Sequence, residues 1–221
     1  MLKATQIYKA YPTGDGQVDV LRGIDFDVEK GEIVAVIGPS GVGKSTLLHI
    51  LGGLDFPSSG QVFIDGVDVF ALSDADRAHF RNQHVGFVFQ FHHLLGDFTA
   101  LENVMMPLLI AGVSHNEARE PAQALLASVG LGKRFDHLPA ELSGGEAQRV
   151  AVARALVSHP KTVFADEPSG NLDAGRSSEL HALIWELARS RGQTFVIATH
   201  DAALSKRADR VVRMADGCIV A

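Results

Sequence analysis

The chain has 221 residues, enough to bury a full core as one large domain or two small ones. Its hydrophobic fraction of 46% and charged fraction of 21% are those of an ordinary globular protein. Twenty Lys and Arg against 26 Asp and Glu leave a net charge of −6, which argues against a surface that coats nucleic acid, and the single Cys218 excludes an internal disulfide.

Residues 1–12 (MLKATQIYKAYP) lack the apolar core and small-residue cleavage site of a signal peptide. No apolar run reaches the ~18 residues that cross a bilayer; the longest candidate, 104–113, is interrupted by Pro107 and Gly112. The expectation is a soluble chain, or one held at a membrane only through a partner, with Cys218 as a small buried apolar residue.

Residues 2–8, 18–21 and 24–28 read as short strands, separated by the turn PTGDGQ. Tyr8 and Tyr11 precede that turn, and each could serve as a strand-edge packing residue or as a face for an adenine ring. Next comes VAVIGPSGVGKSTLL (34–48), a short apolar strand, a glycine-rich turn and the start of a helix. Gly38, Gly41 and Gly43 leave the turn without side-chain bulk, so successive backbone N–H groups can face one anion. Lys44 reaches for a terminal phosphate at the positive end of the helix, and Ser45 supplies a hydroxyl for Mg²⁺. The spacing from Gly38 to Gly43-Lys44-Ser45 matches the phosphate-binding P-loop in full. A nucleoside triphosphate site follows.

Residues 62–64 before Asp65-Gly66 predict a hairpin, and Ser73-x-x-Asp76 predicts a helix to about Asn82. VGFVF (85–89) is a continuous apolar strand of the kind buried on both faces of a parallel sheet, ending in Gln90 where such sheets place ligand contacts. From Phe91 the texture turns helical. Thr99-x-x-Glu102 is a capping box whose helix should end near Met106, ahead of Pro107. Ser114-x-x-Glu117 opens a second helix carrying Leu125, Leu126 and Val129. Ser143-Gly144-Gly145-Glu146 heads a third and reads as another capping box, but its two glycines cost roughly 1 kcal/mol each and make sense if an anion must approach the backbone. Residues 91–158 thus read as a helical insert, with 1–90 and 159–221 as an α/β core lobe.

The strand VFA (163–165) ends in Asp166-Glu167-Pro168. Two carboxylates there suit metal and water handling, Asp166 for Mg²⁺ and Glu167 to polarise an attacking water. A helix over about 174–191 and a strand over 194–198 follow, and the strand ends in Thr199-His200-Asp201. His200 there can hydrogen-bond a phosphate oxygen. Residues 210–214 and 218–220 close the chain as a hairpin around Asp216-Gly217.

Taken in order, GPSGVGKST, Gln90, LSGGEAQRVAVARAL (142–156), FADEPSGNLD (164–173) and Thr199-His200 resemble the ATP-binding subunits of ABC transporters. The resemblance covers essentially the whole chain. It implies a P-loop NTPase core of α/β class, a mixed sheet with flanking helices and an N-terminal antiparallel part, plus a helical insert. It also implies Mg²⁺-ATP and hydrolysis coupled to transport. Two copies would pair head to tail, with the loop Gly38, Pro39, Ser40, Gly41, Val42, Gly43, Lys44, Ser45 and Thr46 of one facing Ser143, Gly144 and Gly145 of the other. Under the same resemblance Tyr11 stacks on adenine, and Ser45, Gln90 and Asp166 hold the metal. Glu167, His200, Lys44 and Gln90 serve catalysis, and Asp173 lies at the dimer seam.

A finer likeness, in residues 90–112 and LLHILGGLD, is to the ATPases of lipoprotein-releasing transporters of Gram-negative bacteria. Macrolide-exporter ATPases and FtsE-like cell-division regulators share most of these motifs. The likeness implies separate membrane-spanning permease subunits, a peripheral place on the cytoplasmic face of the inner membrane, and no nucleic-acid partner. A DNA-repair ATPase of the same superfamily would carry coiled-coil or zinc insertions, whereas this insert is short and free of cysteine. Val42, Gly96, Ala147 and Ser169 depart from the usual pattern without removing a catalytic group. His92 and His93 have no carboxylate or cysteine at ligand spacing. Phe91, Leu94, Leu95, Phe98, Leu101, Met105 and Met106 either fill the insert or line a groove for a permease helix.

Overall fold

Alternating apolar residues build one sheet of this protein and continuous apolar runs build the other. The computed structural model describes residues 1–14 and 16–220, so Asp15 of the expected PTGDGQ turn lies outside the described residues. Strands β1 (Leu2–Thr13) and β2 (Gly16–Val28) form a long antiparallel hairpin. Two segments expected as separate strands have merged into β2. The reason is Gly23, at φ +72°, which bulges where the register steps from Ile7–Ile24 to Tyr8–Arg22. A methyl group at Gly23 would lie 2.7 Å from the Tyr8 hydroxyl, so the Tyr8 side chain packs on that glycine. Strand β4 (Ser59–Ile64) pairs with β1, and β5 (Val67–Asp68) completes the order β2-β1-β4-β5. The β4–β5 turn, Asp65-Gly66, has both residues at positive φ, as a tight hairpin with right-handed twist requires.

The second sheet has the order β10-β9-β3-β8-β7-β6. Its strands are β3 (Ile33–Ile37), β6 (Val85–Val88), β7 (Thr162–Asp166), β8 (Thr194–Ala198), β9 (Arg210–Ala215) and β10 (Cys218–Val220), parallel except for β10. Strand β6, expected as an apolar strand of a parallel sheet, lies at the sheet's edge, with Val85 and Val88 buried. Cys218 is half-buried on the opposite edge, its Sγ 3.6 Å from the Arg22 carbonyl, and not the core residue expected.

Because side chains alternate across a strand, the parallel sheet divides two apolar clusters. Val34, Val36, Phe164, Val196 and Ala198 face helix α1 (Lys44–Leu51) and the antiparallel sheet. Ile33, Val163, Ala165, Phe195 and Ile197 face the other way. There they join α3 (Ala100–Ile110), α4 (His115–Ser128), α5 (Gly144–Leu156) and α6 (Ala174–Arg191). Helices α2 (Asp74–His84) and α7 (Ala202–Ser205) complete the chain.

Pro107 does not end its helix as expected. Helix α3 runs on to Ile110 because Leu108 and Leu109 pack against the core, while the Pro107 carbonyl accepts from Asn82 Nδ2 (3.0 Å) and from the Ala111 amide (3.1 Å). Tertiary packing here outweighs the one backbone bond that proline removes. The apolar residues of 91–106 divide: Leu101 and Met105 are core, whereas Phe91, Leu95 and Phe98 are exposed.

Helix α5 presses so closely on β6 that a methyl group at Gly86 would collide with the Ala155 carbonyl oxygen. Gly86→Ala is therefore expected to cost about 1–3 kcal/mol of stability, the usual scale of overpacking. Urea unfolding measures this directly; an unshifted midpoint would show slack between helix and sheet.

Candidate nucleotide-binding and hydrolysis site

The residues singled out in the core lobe converge because parallel strands deliver their carboxyl ends to one edge. Strand β3 runs into the loop 38–43 and α1, β7 ends at Asp166, β8 leads to His200, and β6 to Gln90. Val36 pairs with Ala198, and Ala198 with Asp166, so the three strand ends lie side by side.

The loop needs its glycines for two different reasons. Gly43 has φ +103° and a methyl there would meet Leu21 Cδ2 at 2.8 Å and the Val20 carbonyl at 3.0 Å. A methyl at Gly38 would lie 2.5 Å from the Met214 carbonyl. Helices α2 to α6 each begin on a Ser, Thr or Asp side-chain cap. Helix α1 begins on Gly43 with no side-chain cap and no acid in its first turn. Its first amides are thus left without a side-chain partner, as an anion site needs. Lys44 is 7% exposed, and its Nζ donates to the carbonyls of Gly38 (2.9 Å) and Pro39 (3.1 Å), which holds the ammonium at the loop.

Across from the loop, burial pushes the Asp166 carboxyl above the usual carboxylate range, the Ser45 hydroxyl opposes that rise, and Glu167 adds to it. Asp166 Oδ1 is buried with no hydrogen-bond partner. An orphaned carboxylate oxygen beside a serine hydroxyl fits a hard divalent cation such as Mg²⁺, which takes oxygen ligands and completes its shell with phosphate and water. Glu167 has φ +45°, a conformation uncommon outside glycine. Its amide donates to the Ala198 carbonyl (2.9 Å), and its Oε2 lies 2.9 Å from His200 Nδ1. Gln90 is turned toward the segment after β7: its Nε2 is 3.4 Å from Asn171 Oδ1, and its carbonyl accepts from Asn171 Nδ2 at 3.0 Å.

The two tyrosines now differ. The Tyr11 hydroxyl donates to Asp55 Oδ2 (2.5 Å) and also meets Thr46 of α1; Lys9 Nζ binds Asp55 Oδ1 (2.8 Å) and sits 4.5 Å from the Tyr11 ring centre. Burial, then Asp55, pushes the Tyr11 hydroxyl pKa up. The ring is thereby anchored beside the P-loop helix.

Ser143, Gly144 and Gly145 form a second locus. Ser143 and Gly145 line a shallow groove with Leu172 and Arg176, next to Asp173, which caps α6 through the Arg176 amide (3.0 Å). Neither Gly144 nor Gly145 has a left-handed φ, and a methyl on either would meet nothing within the chain closer than 3.5 Å. The protein's own fold does not ask for glycine at these two positions.

Three anchoring residues escaped the sequence reading. Gln148 Nε2 donates to the Phe89 carbonyl (2.7 Å), and Arg154 donates to the carbonyls of His92 and His93 (2.8 Å each), so α5 grips the strand end and the turn around Gln90. Asn103, wholly buried, bonds the backbone of Leu95, Phe98 and Thr99. The available signal was polar residues set within the apolar faces of two helices.

A family model described as ABC transporter matches residues 21–170. The lipoprotein-releasing system ATP-binding protein LolD of Geobacter metallireducens is 56% identical over 221 residues, covering 100% of this chain and 98% of that protein. LolD of Bacteroides thetaiotaomicron is 54% identical over 219 residues, 99% of each chain. Among solved structures, a dimeric ATP-binding cassette in a post-hydrolysis state with ADP and Pi superposes with a TM-score of 0.92 at 36% identity. That match covers 100% of this chain and 97% of the other.

The capping box at Ser143 yields a pH prediction. Glu146 Oε1 accepts from Arg134 Nε (2.9 Å) and Oε2 from the Ser143 amide (2.9 Å), which lowers its carboxyl from about 4.5 to about 2. A depressed carboxylate contributes stability above its unfolded pKa and loses it as pH falls through the folded value. Glu146→Ala is expected to cost about 1 kcal/mol at pH 7, the usual worth of a cap. The gap from the unmodified protein should close between about pH 4.5 and pH 2. Urea midpoints at pH 7, 4 and 3 check this; a gap constant with pH would mean that the contact is not ionic.

Proposed function

This chain belongs to the ABC transporter family, and from that membership we propose that it is the ATP-hydrolysing, energy-coupling subunit of a lipoprotein-releasing membrane transporter. The observation that carries the chemistry is the juxtaposition of an uncapped helix N-terminus with the orphaned oxygen of Asp166. In this reading the α1 amides and Lys44 take the β- and γ-phosphates, and Ser45 and Asp166 hold Mg²⁺ with help from Gln90. The cation, when bound, offsets charge on the phosphates. Glu167 orients and polarises the attacking water in line with the γ-phosphorus, and His200, already against Glu167, contacts a γ-phosphate oxygen. Tyr11 presents its ring to adenine.

The site as one chain builds it has two separate halves, and a second copy would join them. Ser143, Gly144 and Gly145 would then meet the γ-phosphate held by the partner's loop, with Asp173 at the seam. What supports this is the pair of glycines that nothing inside the chain requires. We likewise read residues 91–158 as the helical subdomain and 1–90 with 159–221 as the core lobe.

A surface cavity of about 200 Å³ lies between the two, lined by Asn82, Gly86, Phe87, Phe89, Pro107 and Arg154. We read it, with exposed Phe91 and Leu95, as the seat of a cytoplasmic helix of separate permease chains. No helix among the described residues is long and apolar enough to cross a membrane. The proposed location is accordingly the cytoplasmic face of the inner membrane, through those permeases.

Two experiments test the reading. Glu167→Gln should retain ATP binding, lower turnover by about 10²-fold or more, and shift to a dimer on size-exclusion chromatography in Mg²⁺-ATP. Hydrolysis within about threefold of the unmodified protein would remove Glu167 from the chemistry, and an ATP-loaded monomer at high concentration would remove the shared site. Leu95→Glu should fold and hydrolyse ATP as before yet lose co-purification with the permease. Unimpaired transport by that variant would place docking elsewhere.

A further inference from the structure

His181 is a buried titratable group that the chemistry above leaves unused. It lies on α6, 5% exposed, between the two loops that carry Glu167 and His200. Its Nε2 is 2.7 Å from Ser169 Oγ, and its Nδ1 is 3.9 Å from Asp201 Oδ2. Ser169 stands two residues beyond Glu167 and four before Asp173, and Asp201 directly follows His200.

The two loops therefore meet in front and face one imidazole behind. In front, Glu167 Oε2 meets His200 Nδ1 at 2.9 Å; behind, Ser169 is bonded to the imidazole, whose other nitrogen stands 3.9 Å from Asp201. Asp201 is itself fixed, since its amide donates to Thr199 Oγ1 (2.9 Å) and its Oδ1 accepts from the Leu204 amide (3.2 Å). On the other side, the Ser169 carbonyl lies 3.4 Å from Ser177 Oγ, one turn before His181 on the same helix. The serine, histidine and aspartate follow the order of a nucleophilic triad, but 3.9 Å is too long for the hydrogen bond that would orient such a histidine. A structural link is the better account.

The left-handed backbone of Glu167 gives that link a task. A non-glycine residue at φ +45° persists only where its surroundings over-determine it. The Glu167 amide is tied to Ala198, and its carbonyl accepts from the Gly170 amide (2.9 Å). Nothing in those bonds stops the segment from pivoting about them; a side-chain bond at Ser169 does. Burial lowers the His181 pKa, against the pull of Asp201, and so favours the uncharged ring. A neutral imidazole offers one donor and one acceptor, enough to join a hydroxyl without bringing a charge into the core.

We propose that His181 is a positioning residue whose hydrogen bond to Ser169 pins the segment 167–173 to α6 behind Glu167, so that Glu167 is held against His200 and Asp173 moves with it. The proposal rests on the catalytic reading of Glu167 and His200 given above. Its consequence is on turnover and not on nucleotide affinity, because the link lies behind the water-handling groups and touches none of the P-loop residues.

The test is a double-mutant cycle on the purified full chain, with kcat and KM for ATP measured for Ser169→Ala, His181→Phe and both together, and Glu167→Gln run beside them. Each single change should lower kcat about fivefold, the scale of one neutral hydrogen bond, with KM within about twofold. The pair should be no slower than either alone, and His181→Gln, which can still bond the serine, should recover most of the loss. Additive losses, unchanged kcat in both singles, or a rise in KM with kcat preserved would each overturn the proposal. Should His181→Phe fail to fold, Ser169→Ala and Ser169→Thr decide it. Loss in the first with recovery in the second supports the link, and equal rates in both oppose it. Failure of the site reading is separately visible: there Glu167→Gln itself stays active, whereas failure of the link alone leaves Glu167→Gln inactive and the His181 variants fast.

Discussion

The structure depends on β3 being buried on both faces while its carboxyl end stays open. Val34 and Val36 point into one apolar cluster and Ile33 into the other, all fully buried. A parallel strand in that position has no solvated face on which to place polar chemistry, so polar chemistry has to begin where the strand stops. The neighbouring parallel strands obey the same constraint in register, which is why a loop, two carboxylates and a histidine from distant parts of the chain share one edge. The antiparallel sheet adds cover for α1 and supplies Tyr11 from its long hairpin.

At that edge the protein leaves specific needs unmet. Its other long helices satisfy their first amides with their own side chains, and the helix after the P-loop does not. Most buried polar atoms have partners, and Asp166 Oδ1 has none. Unsatisfied donors and an unsatisfied acceptor facing each other would be a defect in a purely structural corner. They are what the proposed binding of an anion and its cation would satisfy. The Lys44 ammonium is meanwhile held at the loop by two of its carbonyls.

The helical insert is not an independent attachment. Helices α3, α4 and α5 share their apolar cluster with the lower face of the parallel sheet, through Val163, Phe195 and Ile197. Gln148 and Arg154 reach from α5 to backbone carbonyls on either side of Gln90, while Gln90 itself meets Asn171. Hydrogen bonds to the main chain thus connect the insert to both sides of Gln90, and Gln90 to the segment after β7. Ser143 and its glycines, the proposed second half-site, stand at the start of the same helix as those two anchors.

Much of this was legible in the sequence because its causes are local. Capping boxes at Thr99, Ser114 and Ser143, the Asp-Gly turns and the glycine spacing of the P-loop each involve residues within a few positions of one another, and each appears where expected. The assignment of Asp166 and Glu167 to a strand end was equally local, since an apolar run followed by two acids has one reading. What tertiary structure alone decided has a different physical origin. Pro107 stays inside its helix because the apolar cluster shared with other helices rewards burial of the residues beyond it. Leu101 and Met105 enter the core while Leu95 and Phe98 do not, a partition that depends on which neighbours arrive from elsewhere in the chain. Tyr11 is separated from Tyr8 by Asp55 and Gly23, neither of them nearby in sequence. Ser169, His181 and Asp201 look like an unremarkable loop serine, a helix histidine and a turn acid until strands β7 and β8 and helix α6 bring them together, because side-chain contacts across 12 and 20 residues leave no periodicity to read.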